Sequence, residues 1–184
     1  MGAVSRATPM HYVCTYAEAD RFIAGAKGFW ISPCICRDGG DGCRRSRHEV
    51  CLGFLRRAVS QPSKARRITR ADAKALRRYA VEKGLVPRPY RGANDKDVTE
   101  GVCFCCDCCC TYFAGDDGYD KGRLVERTDM ARCTHCGACE PVCAFGARTM
   151  AAGALEVDRR ECAGCGLCVG SCPEECIEMV ERKP

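Results

Sequence analysis

Eight cysteines near the C-terminus repeat one spacing twice: Cys133-x2-Cys136-x2-Cys139-x3-Cys143, then Cys162-x2-Cys165-x2-Cys168-x3-Cys172-Pro173. Thiolates are soft ligands that select zinc or iron–sulfur centres. Cysteines three apart, with Gly137 and Gly166 among them, let a tight loop aim three thiolates at one cube of iron and sulfide. The small residues Gly137, Ala138, Gly164 and Gly166 leave backbone N–H groups free to bond the sulfurs of such a cube, which raises its potential. Cys-x2-Cys pairs also build zinc sites of four thiolates. The duplicated four-cysteine run favours iron–sulfur over zinc. Disulfides fit least, because thiols three apart on tight loops suit a metal, and Met1 to Asp20 carry no export signal.

The elements that must position these thiols are themselves repeated. Gly137 aligns with Gly166 and Met150 with Met179, always 29 residues apart. A duplicated unit of two short strands and one short helix is expected from about Val125. With only two copies it is not a solenoid.

Residues 128–182 resemble the bacterial-type two-[4Fe–4S] ferredoxins. The resemblance implies an α+β fold of two βαβ-like repeats related by a pseudo-twofold axis. It also implies outer-sphere electron transfer at low potential in an anaerobic or microaerobic cytoplasm. The fourth cysteine of each run, at the start of the following helix, would serve the other cluster. Cluster I would then take Cys133, Cys136, Cys139 and Cys172, and cluster II Cys162, Cys165, Cys168 and Cys143. Two features depart from the pattern. Ala144 stands where a proline usually follows the fourth cysteine, with Pro141 earlier instead. Cys176 occupies the place of Ala147 and is read as a small buried residue beneath a cluster. His135 is read as a solvent-side residue that tunes cluster I.

Of 20 cysteines in 184 residues, twelve remain. Six fall in Cys103–Cys110 and cannot all be core residues. Cys34, Cys36, Cys43 and Cys51 supply thiols from the N-terminal half. A second resemblance spans nearly the whole chain, to uncharacterised iron–sulfur proteins of anaerobic bacteria and archaea. It rests on Pro33–Arg37, Val50–Phe54, Gly84–Val86 and the run Cys103–Cys110. It implies one module of residues 1–124, closed by metal, ahead of a two-cluster domain of residues 125–184. At least one additional cluster is expected between residues 34–51 and 103–110. Its candidate ligands are Cys34, Cys36, Cys51, Cys103, Cys105, Cys106, Cys108 and Cys109. Iron–sulfur is favoured there over zinc or partly free thiols. Cys14 is read as structural, and Arg37 as either a donor to a cluster sulfur or a surface residue.

The module is expected to be small and mainly helical. Helices are read at Tyr16–Gly25, at Glu49–Val59 and at Thr69–Lys83. The last has Thr69 as N-cap, Asp72 completing a capping box, Ala73, Leu76, Ala80 and Val81 on one face, and a stop at Gly84. Phe29–Ile31 reads as a strand and Leu85–Pro89 as an extended segment. Residues 38–42, 91–100 and 115–118 read as loops. With few large apolar residues, a module of this size needs metal as a staple.

Charge divides the chain: residues 1–100 carry net +10 and residues 101–184 net −5. The excess concentrates in Arg56–Arg91, a docking face for a redox partner protein or simply a solvated surface. No stretch is long and apolar enough to span a membrane, and a cytoplasmic location is expected. No nucleophile–base pair, dinucleotide fingerprint or P-loop is present. Electron transfer through two [4Fe–4S] clusters, with a further cluster and a partner oxidoreductase, is therefore the leading reading. An iron–sulfur enzyme subunit whose extra cluster binds substrate is the alternative. A redox-sensing nucleic-acid binder, using Arg70, Lys74, Arg77 and Arg78 on helix 69–83, ranks last: aromatics are sparse there and no two-helix reader is evident.

Overall fold

The computed structural model describes residues 10–38, 42–92, 95–114 and 119–183. The turn expected around residues 39–41 and the loop at 115–118 lie outside them.

The N-terminal half is built on a sheet, not on helices. Five antiparallel strands run in the order β3-β1-β2-β5-β4: β1 Phe29–Pro33, β2 Glu49–Gly53, β3 Arg66–Ile68, β4 Val86–Arg91 and β5 Thr99–Cys105. The helix expected over Glu49–Val59 is strand β2, followed by a 3-10 turn at Arg56–Ala58. Period two, not 3.6, governs here. Val50 and Leu52 enter the core below the sheet, and Cys51 faces the opposite side with Val59 and Tyr90. Gly53 permits a close approach: a Cβ there would sit 2.6 Å from Val59. Pro87 and Pro89 are accommodated because β4 is the edge strand of the sheet order.

Two helices cover one face of this sheet. Helix α1, Tyr16–Gly25, is opened by a capping box of Thr15 and Glu18, and α3, Arg70–Glu82, by one of Thr69 and Asp72. Between them, α2 is the single turn Ile35–Asp38. Ala19 and Ile23 of α1 and Ala73, Leu76 and Ala80 of α3 pack onto Ile31, Leu52, Val102 and Phe104. Val81, expected on that face, is 40% exposed. At Gly84 the chain leaves α3 with φ +59°, a left-handed stop.

The short helix α4, Thr111–Ala114, leads out of the N-terminal half. The C-terminal half consists of two small antiparallel pairs. Strand β6, Leu124–Thr128, pairs with β9, Ile177–Glu181; β7, Arg148–Ala151, pairs with β8, Ala154–Val157. Helix α5, Leu167–Ser171, has turns in its place in the first repeat, at residues 138–142. Pro141, which lacks an N–H, stands there opposite Gly170 of α5. Cys172 is the C-cap of α5 and follows its helix, and Cys143 follows the turns. The expected placement of both at a helix start is thereby corrected.

Candidate metal centres

The two cysteine runs fold into loops with matching backbone at matching positions. His135 and Gly164 have φ +54° and +87°, Gly137 and Gly166 +76° and +74°, Gly146 and Glu175 +65° and +48°. Each pair is one repeat apart. At Gly164 no side chain fits, since a Cβ would lie 2.3 Å from the Leu124 carbonyl oxygen. His135 Nδ1 accepts the Leu155 N–H at 2.9 Å, which pins its loop to β8 and places the imidazole proton on Nε2.

Two cavities result, each lined by four of the eight cysteines. One is lined by Cys133, Cys136, Cys139 and Cys172, with Cys176, Leu155 and Ile177. The other is lined by Cys143, Cys162, Cys165 and Cys168, with Phe145, Leu167 and Met179. Soft donors around an apolar space suit an iron–sulfur cluster. Burial pushes the Cys165 and Cys168 thiols up to about 12, so ionisation there is coupled to metal binding. Cys176 is buried, with its sulfur 3.4 Å from that of Cys172.

A buried ion pair lines the second cavity. Glu126 and Arg148 are 1% exposed at their side chains, with Arg148 Nη1 3.0 Å from Glu126 Oε2. Arg159 Nε lies 2.9 Å from Glu126 Oε1. Arg148 favours the thiolate form of Cys139 and of Cys168, in part offsetting burial, which raises both.

The N-terminal thiols fall into two sets. Cys43, Cys106, Cys108 and Cys109 bring all four sulfurs within 4.8 Å of one another. Cys106 Sγ lies 3.5, 3.4 and 3.3 Å from those of Cys43, Cys108 and Cys109. Arg37, 1% exposed, donates Nη2 to the Phe104 carbonyl at 3.0 Å and approaches Cys106 Sγ at 3.5 Å. It does not reach the sulfur of its neighbour Cys36. Against desolvation, Arg37 brings the Cys43 thiol down to about 6.

The second set starts on the sheet face turned away from α1 and α3. Cys51 and Cys103 are register partners with sulfurs 3.8 Å apart, and Cys105 follows on the same side of β5. Cys105 Sγ accepts Arg88 Nε at 3.3 Å, and Arg88 is 8% exposed. Cys110, Cys36 and Cys34 lie beyond Cys105, near enough for each to perturb the ionisation of the next. Hydrogen bonding from Cys103 holds the Cys51 thiol at about 6 in spite of its burial.

The eight residues expected from sequence are thus divided. Cys106, Cys108 and Cys109 join the first set, completed by Cys43; Cys34, Cys36, Cys51, Cys103 and Cys105 join the second, completed by Cys110. Cys43 and Cys110 escape sequence reasoning as ligands because no local spacing distinguishes them. Strand alternation puts Cys103 and Cys105 on one face but ends with β5 at Cys105, so it does not reach Cys110. Cys14, 1% exposed, sits in the core as expected.

Much of the basic segment is consumed internally. Arg70 donates to the Ile23, Ala24 and Ala26 carbonyls at the end of α1. Arg77 forms a two-pronged pair with Asp20 at 2.9 and 2.8 Å, and Arg66 pairs with Glu49. Arg70, Lys74, Arg77 and Arg78 therefore do not form a free row for phosphates.

Residues 118–177 match the family described as 4Fe-4S dicluster domain. Over 61 residues, 33% of this chain, the sequence is 36% identical to a subunit of the ion-translocating oxidoreductase complex of Methanosarcina acetivorans. That match spans 23% of the relative's length. Over 51 residues, 24% of this chain and 82% of the relative, it is 39% identical to ferredoxin-1 of Chlorobaculum tepidum. No solved structure matches the chain.

Proposed function

The chain belongs, through residues 118–177, to the ferredoxin-type 4Fe–4S dicluster family, and from that premise we propose that it relays low-potential electrons between a partner oxidoreductase and a thiol-rich N-terminal module. The observation that carries the reading is the pair of cavities, each with four cysteines around an apolar space. Cys133, Cys136, Cys139 and Cys172 would hold one [4Fe–4S] cluster, and Cys162, Cys165, Cys168 and Cys143 the other. Each cluster, when bound, takes up and returns one electron without gaining or losing a ligand.

The chain's own residues set the terms of that exchange. Leu155 and Ile177 exclude water on one side, and Leu167 and Met179 on the other. Arg148, which favours the thiolate of Cys139 in one cavity and of Cys168 in the other, would counter the added negative charge, and Glu126 keeps Arg148 in place. His135 holds the first loop on β8.

The row Cys34, Cys36, Cys51, Cys103, Cys105 and Cys110 is the proposed seat of a further iron–sulfur cluster. Arg88 supports this, being a buried cation whose Nε is donated to a thiol. Packing supports a link to the second cavity. Helix α4 starts directly after Cys110, and its Phe113 packs edge-on against Phe145, ring centroids 5.2 Å apart. Phe145 lines the cavity of Cys143.

The partner would dock on the bases of 56–91 that remain exposed, among them Arg56, Lys74, Arg78 and Lys83. Likeness to a component of an oxidoreductase complex supports a carrier with a protein partner over a stand-alone enzyme. Among the described residues, no helix is long and apolar enough to cross a membrane.

Film voltammetry of the anaerobically purified chain tests this. Reversible one-electron waves at negative potential without any added substrate are expected. Current that flows only after a small-molecule substrate is supplied would establish the enzyme reading instead.

A further inference from the structure

We propose that Cys43, Cys106, Cys108 and Cys109 form a closed site for a single divalent ion of the zinc class, bound by four thiolates and set apart from the electron path. Among the described residues, this is the one group of three or more potential ligands whose donor atoms all converge within 4.8 Å. Its close sulfur–sulfur separations are 3.3 to 3.8 Å. A tetrahedron with metal–sulfur bonds of about 2.3 Å spaces its sulfurs by about 3.8 Å. A cube of four irons and four sulfides stands between its thiolates and holds them farther apart. The eight ferredoxin cysteines obey that second geometry: they line cavities and do not converge on a point. One chain thus contains both arrangements, and the Cys43 set is the narrow one.

Charge points to the same occupant. Four thiolates and a divalent ion carry net −2. Arg37 is buried against this set, and its Nε and Nη1 have no partner. Among the described residues no carboxylate pairs with it. A buried cation without a counter-ion is costly, and a tetrathiolate dianion beside it removes that cost. At the rim, Arg45 and Asp107 close the site with an ion pair of 2.7 Å.

The topology gives the ion a structural task. Cys43 lies on the segment between α2 and β2, and the other three on the turn after β5, where the Cys110 N–H bonds the Cys106 carbonyl at 3.3 Å. The ion would clamp that segment to the end of β5. Four protein thiolates leave no open position, so neither substrate nor water enters. On binding, thiol protons pass to solvent and no electron moves.

The test is elemental analysis and zinc-edge X-ray absorption on the full chain, purified without oxygen and washed with EDTA. One zinc per chain beside the iron is expected, with four sulfurs at about 2.3 Å. Cys43→Ser should take zinc from one per chain to none and leave iron unchanged. Cys51→Ser should keep the zinc. Cys108→His, which preserves a tetrahedral donor set, should keep zinc and change its shell to three sulfurs and one nitrogen, so a failure of Cys43→Ser to fold does not decide the matter. A zinc-free chain would overturn the proposal, whether or not Cys43→Ser loses iron and sulfide. So would a four-sulfur zinc shell that Cys108→His leaves unaltered.

Discussion

The two halves gather thiols by different means. In the C-terminal half, each cavity draws three cysteines from one loop and the fourth from the other repeat, at least 19 residues away in sequence. Tight left-handed turns aim them, and the nearest buried cation, Arg148, is already paired with Glu126. In the N-terminal half, a sheet does the aiming. Strand register sets Cys51 against Cys103, and the turn after β5 swings Cys106, Cys108 and Cys109 to the other side. There the buried cations Arg37 and Arg88 face sulfur. Where a loop wraps a centre, backbone N–H groups offset its negative charge; Cys51, Cys103 and Cys105 stand on extended strands whose N–H groups are used in the ladder, and there the guanidinium of Arg88 takes that part.

Stripping the metal should have the largest effect, and within the N-terminal half it should separate the thiol-bearing segments from the helix-covered sheet. A tetrathiolate ion contributes on the order of 10 kcal/mol to a folded site. Chelation in mild denaturant is therefore expected to expose residues 42–48 and 105–110 to hydrogen exchange well before α3. Simultaneous exchange of both regions would mean that the whole module depends on metal.

Next in size is Arg37→Leu. Removing this buried cation leaves the Phe104 carbonyl and the thiolates uncompensated, at a cost of about 3 kcal/mol. Urea unfolding monitored on the N-terminal half should show the loss. An unchanged midpoint would contradict the charge argument.

Gly164→Ala probes the loops instead. The added methyl meets the Leu124 carbonyl at 2.3 Å in a backbone of φ +87°, and a cost of about 2–3 kcal/mol is expected from strain and displacement. His135→Gly at the matching position should cost less, about 1 kcal/mol, through the lost hydrogen bond to Leu155. Equal effects would break the distinction between the repeats.

An effect of the same small size concerns the tie between the halves. Glu18 caps α1 and pairs with Arg123 at 2.7 Å. Although desolvation acts to raise its pKa, the Thr15 N–H, the Thr15 hydroxyl and Arg123 hold the carboxyl below its ordinary value. Its contribution is therefore present above the unfolded value and is lost as pH falls through the folded one. Glu18→Gln should cost about 1 kcal/mol near neutrality. The difference from wild type should vanish in acid, as thermal unfolding at several pH values would show.

What is legible in the sequence follows the range of the interactions. The capped helices at 16–25 and 70–82 can be read because cap, apolar face and stop all lie within a few residues. The thiols of the C-terminal loops are legible for the same reason. Strand β2 is not, because Glu49–Val59 has apolar residues that satisfy either period, and pairing with β1 and β5, both distant in sequence, decides the outcome. The two N-terminal thiol sets are illegible for a related reason. Cys43 and Cys106 are 63 positions apart, and only folding brings them to 3.5 Å. The turns that replace a helix in the first repeat do have a local signal, Pro141, which lacks the N–H that a helix interior needs.

Electron relay through the C-terminal half requires two clusters there, close enough to exchange electrons. Electron paramagnetic resonance on the dithionite-reduced full chain, with iron and acid-labile sulfide counted on the same sample, tests it most directly. At least eight irons and eight sulfides per chain are expected, about four of each per cluster, with a broadened spectrum of two interacting paramagnets. A single sharp signal with four irons would contradict it.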